Sequence, residues 1–386
     1  MIRAAKGTSS DAVDAVDVVV VGIADERFSL FEAACARASI DPPRLISYRE
    51  ATEHLDRHVG HGTVIRFEST DEDPEALRQS LLVGAAIDDP DHPHSQRLSA
   101  ADVNAHVFQP GQIFAMRQAY LGRCQLWERI EREGLARGAR TMNSASALRV
   151  TFDKRATIQL LRDAQVAVPR SLPNVDCFDR IVETIHEVPG KQVMVKTAHG
   201  AGATGIVALR TDGKRWHAST TAVLEGTSLW NTRNIRTLTD VREIGNLVDV
   251  ICTQVVHVEQ WVPKASMKEG RFDLRVVVIG GVARQVLLRT ANAPFTNLHL
   301  GAQRGNVQQL RERLGPNLWC SVLDLAERSV AALEGLLYGG VDIVVQSDWK
   351  TLVVLEVNGF GDWHPNVLVE GKDTYDWELA ALRQTP

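Results

Sequence analysis

GVDIVVQSDWKTLVVLEVN, residues 340 to 358, sets an apolar run on each side of a polar turn at Asp348 to Lys350, the pattern of a two-stranded hairpin. If that turn is centred on Trp349, Asp342 stands opposite Glu356, and opposed side chains share a face with Cβ atoms about 4.5–5.5 Å apart. Asn358, two residues beyond Glu356, falls on the same face by the strand's period of two. Two carboxylates and an amide oxygen then converge. Such a set suits a hard cation such as magnesium, which takes oxygen ligands and is commonly shared with phosphates. The competing reading is a solvated sheet edge, yet acids set in apolar strands repel each other unless a cation lies between them.

Upstream, GAGATG at residues 200 to 205 has the G-x-G-x-x-G spacing. Gly200, Gly202 and Gly205, with Thr204, form a loop whose backbone N–H groups can approach phosphate oxygens. A dinucleotide site requires a helix directly after this loop, whereas Ile206 to Leu209 is a β-type run, so the loop joins two strands and hydride transfer is disfavoured. Protein-kinase chemistry is disfavoured too: no H-R-D or D-F-G sequence occurs, and Lys196 precedes the loop instead of following it. A glycine-rich hairpin without a ligand is the plain alternative. Lys196 argues against it, because a lysine ending the apolar strand Val193 to Val195 is costly to place there unless it meets an anion.

The rest of the chain divides in two. From Asp17 to about 140, strands at Val18 to Val21, Arg44 to Ser47 and Thr63 to Phe67 alternate with helices such as Phe28 to Ala38, which implies a small Rossmann-like α/β domain. The Asp-, Pro- and His-rich stretch Asp88 to Arg97 reads as a loop, and Gln112 to Glu133 as one helical stretch. Beyond Ser144, hairpins are expected at 192–196 with 205–209, 272–279 with 282–289, and 341–346 with 351–357. The fold class is therefore α/β in its first domain and α+β overall. Expected boundaries are a disordered tail at 1–16, domains at 17–140 and 141–257, and a third at 258–386.

A chain of 386 residues, 44% hydrophobic, is long enough for two or three such cores. Its net charge of −5 comes from interspersed residues, so no basic stripe suited to nucleic acid is present. The cysteines Cys35, Cys124, Cys177, Cys252 and Cys320 are too scattered for a zinc or disulfide framework. Val18 to Ile23 is too short for a membrane span and follows an acidic segment. The expected setting is the cytoplasm, with neither nucleic acid nor membrane as partner. A homodimer is the default expectation. His54, His58 and His61 have helical spacing, but Gly60 interrupts them, and they read as solvent-facing. Trp216, Trp230 and Trp261 read as core fillers.

Taken in order, these motifs resemble the ATP-grasp superfamily over about residues 140 to 370, with the first domain corresponding to its pre-ATP-grasp domain. TFDKRAT at 151–157 looks like the family's opening segment, whose lysine, here Lys154, reaches ATP phosphate. Lys196 looks like its second nucleotide lysine. Glu259, Gln260 and Val262 lie in a stretch similar to the hinge that reads adenine through its backbone. Phe272-Asp273-Leu274-Arg275 is similar to the segment with a nucleotide-contacting Asp and a phosphate-contacting Arg. Arg289 and Asn297 look like the stretch that follows in glutathione synthetases and the glutamate ligases that modify a ribosomal protein. Asp342, Glu356 and Asn358 fall on the family's magnesium ligands. The resemblance implies two lobes sandwiching ATP, two magnesium ions, and a ligase that activates a carboxylate as acyl phosphate and joins it to an amine of a small molecule or peptide, releasing ADP. Arg275 and Arg289 would be its catalytic arginines. Open alternatives are a small-molecule kinase or carboxylase on the same fold, or a nucleotide-binding protein without turnover.

Two departures concern the substrate. Phe295 stands where the ribosomal-protein ligases have an arginine, and after Asn358 the family's small-residue-Pro-Gly gives way to GFGDWHPN at 359–366. Trp363 and His364 there are candidate acceptor contacts. One point of geometry is also open: with a regular two-residue turn at Gly280-Gly281, Arg275 and Arg289 project from opposite faces. Shared function therefore requires a bulge or an odd-length turn.

Overall fold

The computed structural model describes residues 16–70, 73–360, 364 and 367–384. The expected tail therefore lies outside the described residues apart from Val16, as does Trp363.

The first sheet follows from runs buried on both faces. Val18–Val21 and Val64–Phe67 are fully buried, as central parallel strands require. They form the spatial order Arg44–Ile46, Val18–Val21, Val64–Phe67, Arg140–Thr141, all parallel. The helix expected from Phe28 begins earlier, at Glu26, because the Asp25 side chain caps it by accepting from Phe28 N.

Gln112 to Glu133 is not one helix. Gln112–Ile113 is a short strand paired with Trp230 and Leu229 of the next sheet, and the helix runs Met116–Leu135. The break lies at Ala115, whose φ of 43° is left-handed and cannot continue either element. The first domain thereby lends an edge strand to its neighbour.

The middle sheet is antiparallel, in the order Gln112–Ile113, Ser228–Leu238, Trp216–Glu225, Val207–Thr211, Gln192–Thr197, Val256–Gln260, Ser171–Leu172. The hairpin across the glycine-rich loop is present, with Val195 opposite Val207. Helix Val241–Cys252 covers one face. Its Ile244, Leu247, Val248 and Ile251 recur at helical spacing and are buried in the core of this lobe.

The third sheet runs Gln303–Arg304, Val282–Ala291, Gly270–Ile279, Tyr338–Val345, Leu352–Asn358 and packs on helix Val307–Ala331. Leu161 and Val166 belong to this core as well, so the segment after Ser144 packs with the third lobe and not with the middle sheet that follows it in sequence. The middle sheet extends to Gln260, three residues past 257, the expected end of the second domain.

The end of the chain returns to the beginning. Helix Thr374–Leu382 packs on helix Glu26–Arg37, with Phe31 edge-on to Tyr375. Beneath that contact Arg66, 1% exposed, bonds Glu68 at 2.6 Å and also Glu378, and lies 4.5–5.3 Å from the ring centroids of Phe31, Tyr338 and Tyr375. Removing one member strands a buried guanidinium with half its counter-charge. Glu378→Ala is expected to lower stability by about 3–5 kcal/mol, measured as a shift in the urea unfolding curve, whereas Glu53→Ala at an exposed pair should change it little.

Candidate active site

A cleft of about 870 Å³ opens between the middle and third sheets and reaches the first domain. Its chemistry begins with the opening hairpin. Asp342 does pair with Glu356, and Gly340 with Asn358, but by another route than a turn centred on Trp349. From Ile343 outward the register is shifted by one, with Ile343 opposite Val354, which centres the turn between Asp348 and Trp349 and leaves Leu355 as a bulge. The two offsets cancel. Asp348 builds the turn, accepting from Lys350 N and Thr351 N, while Trp349 takes a φ of 57° and faces the Phe272 ring.

The neighbouring hairpin has the bulge that shared function requires. Gly280 and Gly281 form a tight turn with φ of 57° and 77°, a conformation that glycine adopts without strain. The register then shifts between Val276 and Val278, so that Arg275 faces Leu287 and Asp273 faces Arg289. Arg275 and Arg289 thus lie on one face. They meet on Asp342: Arg275 grips it through Nε and through Nη2 at 3.0 Å from Oδ2, and Arg289 Nη2 lies 3.0 Å from the same oxygen. Arg289 Nε also donates to Asp273 Oδ1 at 2.7 Å. The flanking acids outweigh burial and hold Arg289 firmly protonated.

Glu356 is partly exposed at 28% and looks across the cleft to Lys154 Nζ at 3.6 Å. Burial works against its ionisation, but Lys154, Lys196 and Arg275 prevail and bring the carboxyl down to about 2. Asn358 Nδ2 donates to Gly340 O at 3.3 Å and Glu356 Oε1 at 3.4 Å, which leaves Oδ1 as the atom available to a cation. The donor set of Asp342, Glu356 and Asn358 is therefore all oxygen and fits magnesium.

Lys154 opens the helix Lys154–Asp163, and its Nζ donates to Gly200 O at 2.5 Å. Lys196 Nζ contacts Glu259 Oε1 at 2.5 Å, and His257 Nε2 lies 3.0 Å from the other oxygen. In the loop between strands, Gly200 has no room for a Cβ, which would sit 2.1 Å from Thr197 Oγ1. Gly200, Gly202 and Thr204 line the cleft, as do Glu259, Val262, Asp273 and Asn297. Gly205 and Gln260 face elsewhere: Gly205 N donates to Asn231 Oδ1 and Gln260 N to Arg170 O. Glu259 presents a side chain to Lys196, not only a backbone edge.

Sequence reasoning missed Lys264. It lines the cleft and bonds Asp273 Oδ2 at 2.8 Å and Thr296 Oγ1 at 2.5 Å, so Asp273 anchors Arg289 and Lys264 with both oxygens. The signal was the one that marked Lys196, a lysine closing an apolar stretch. His364 also lines the cleft, 5% exposed, with no hydrogen-bond partner at Nε2 among the described residues. Phe295 packs with Met194 and Ala208 of the middle sheet. Of the tryptophans, Trp216 stacks edge-on against Phe178 in the core, while Trp261 lines the cleft.

Known structures share this architecture across nearly the whole chain. The ATP-grasp ligase PsnB, in complex with a phosphomimetic variant of minimal precursor, Mg and ADP, gives a TM-score of 0.55 at 17% identity, covering 96% of this chain and 99% of that one. D-cycloserine synthetase DcsG gives 0.53 at 14% identity, with 96% and 99% covered. D-alanine–D-alanine ligase from Bacillus anthracis, complexed with ATP, gives 0.51 at 12%, with 96% of each chain covered. At these identities the likeness is one of fold. No family model and no curated protein matches the sequence.

The Lys196–Glu259 pair has a pH signature. Burial opposes ionisation of Glu259, yet Lys196 and His257 hold its carboxyl at about 2 against an ordinary 4.5. That stability is fully present above pH 4.5 and is lost as pH falls toward 2. Glu259→Gln is expected to be less stable than wild type at pH 7, with the gap between the two narrowing steadily below pH 4.5 in urea unfolding.

Proposed function

We propose that this chain, which has the ATP-grasp fold, is an ADP-forming ligase that activates a carboxylate as an acyl phosphate and joins it to an amine of a small molecule or peptide. The observation that carries this reading is the face shared by Asp342, Glu356 and Asn358, set directly against Lys154, Arg275 and Arg289 in one cleft. A carboxylate is a poor electrophile, and making it reactive with a phosphoryl group crowds negative charges that the protein must offset.

The chain's own groups suit that task. Lys154, Lys196 and the glycine-rich loop are placed to hold the triphosphate. Glu259, Trp261 and Val262 line the part of the cleft beside the strand that ends at Gln260, where the base would lie in this reading. A carboxylate oxygen of the acid attacks the γ-phosphorus and ADP leaves; the amine then attacks the acyl carbon and phosphate leaves. Arg275 and Arg289, fixed by Asp342 and Asp273, stabilise the transferring phosphoryl group and then the tetrahedral oxyanion. Asp342, Glu356 and Asn358 would hold magnesium, which when bound supplies charge neutralisation at the phosphate oxygens. His364 and the first-domain residues Arg27, Ser69 and Thr70 line the same cleft. Similar folds are the ATP-grasp ligase PsnB, complexed with precursor peptide PsnA2 and AMPPNP, and D-cycloserine synthetase DcsG, which supports leaving the substrate class as small molecule or peptide.

The reading is tested by ADP and phosphate release with Mg²⁺ and ATP across pooled amino acids and short peptides, with mass spectrometry on positive pools. Expected are a condensed product and a fall of about 100-fold or more in turnover for Glu356→Ala. A phosphorylated product would identify a kinase instead, and AMP release would rule out the acyl-phosphate route.

A further inference from the structure

Beneath the cleft, the charged side chains Arg117, Asp89, Asp153 and Arg155, together with His199 of the cleft lining, interlock the two phosphate-binding elements with the first domain. Arg117, in the first turn of helix Met116–Leu135, clasps Asp89 by Nε to Oδ2 at 2.9 Å and Nη2 to Oδ1 at 3.0 Å. Its Nη1 lies 3.8 Å from Asp153 Oδ2 and 3.4 Å from His199 Nε2. Asp153 caps the helix that begins at Lys154, accepting from Arg155 N at 2.9 Å, and holds the Arg155 guanidinium through Nε and Nη2. His199 immediately precedes the glycine-rich loop.

The histidine's state follows from its neighbours. A guanidinium can only donate, so Nε2 accepts from Arg117 and the ring proton sits on Nδ1, 3.3 Å from Phe152 O. The ring is buried and stacked on Tyr120 at 3.9 Å between centroids. Burial, aided by Arg117 and Arg155 and opposed by Asp153, holds it neutral, down to about 3. His199 is thus a fixed spacer between Arg117 and the chain at Phe152. The two elements are also joined directly: Lys154 N donates to Ala198 O at 3.0 Å, and Lys154 Nζ to Gly200 O. On the outer side, the Asp88 to Arg97 loop is tied to the middle lobe by Gln96 N to Thr253 O at 2.7 Å and Gln254 Nε2 to Gln96 Oε1 at 2.7 Å.

We propose that Arg117 is a positioning residue for triphosphate binding: with Asp89, Asp153 and His199 it locks the helix that starts at Lys154 to the start of the glycine-rich loop. Lys154 and the loop amides then meet the phosphates in one preset geometry, with the first domain as the brace. The inference rests on the nucleotide reading above. It differs from an ordinary ion pair between domains in being selective, since it acts on the phosphate-binding elements and leaves the base-binding end of the cleft untouched.

Calorimetric titration of the full chain with Mg·AMPPNP and, separately, with AMP tests it, alongside thermal melts. Arg117→Met is expected to weaken Mg·AMPPNP about 10- to 100-fold while AMP affinity stays as in wild type. Arg117→Lys should recover part of the loss, and Asp89→Asn, which keeps the arginine, should weaken Mg·AMPPNP in the same direction. If Arg117→Met does not fold, Asp89→Asn carries the test alone. Mg·AMPPNP affinity unchanged in both variants, or equal loss of both nucleotides, overturns the proposal. A wild-type chain that binds neither nucleotide overturns the nucleotide reading itself and this inference with it.

Discussion

Asp342 is held by two arginines from the neighbouring hairpin, Arg275 from one strand and Arg289 from the other, and most of the third lobe's geometry serves that meeting. A carboxylate buried to 5% exposure in an apolar strand is costly unless paired. Pairing it twice requires both arginines on one face, and a regular hairpin puts them on opposite faces. The bulge at Arg284 and Gln285, opposite Val277, resolves the conflict. The second bulge, at Leu355, keeps Glu356 level with Asp342. The bulge at Arg284 and Gln285 lies toward the turn, away from Asp273 and Arg289, whereas the bulge at Leu355 directly adjoins the Asp342–Glu356 pair that it aligns.

Period-two alternation and turn chemistry were legible in the sequence because they are local. The parity of the interval between Arg275 and Arg289 was enough to require an irregularity, though not to say that it would be a bulge in the second strand. The Asp342–Glu356 pairing was reached with a turn placed half a residue off, an error that the Leu355 bulge compensates. What could not be read depends on packing across long separations. Gln112–Ile113 lies beside a good helical stretch and becomes a strand only because Leu229 and Trp230, more than a hundred residues on, offer an edge. The segment after Ser144 joins the third lobe through Leu161 and Val166, which look like any amphipathic helix in isolation. Lys264, Arg117 and His199 are single residues without a motif. Their roles appear only when Asp273, Asp153 and Asp89 are brought beside them.

The cluster of five cations and four carboxylates at the centre of the cleft is also almost neutral as it stands, and this bears on how it would bind an anion. Lys196 is matched by Glu259, Lys264 and Arg289 by Asp273, Arg275 and Arg289 by Asp342, and Lys154 by Glu356. Long cationic side chains facing an empty cleft would otherwise sample many rotamers and repel one another. The carboxylates fix them and remove part of their hydration in advance, so under the proposed function an arriving phosphate group would meet oriented donors whose ordering cost has already been met by folding. In the proposed function Asp342 and Glu356 would hold the divalent cation, which would leave Lys154, Arg275 and Arg289 to the phosphates. Glu259 and Asp273, each 2% exposed, line the same cleft and hold Lys196, Lys264 and Arg289 in place through direct ion pairs.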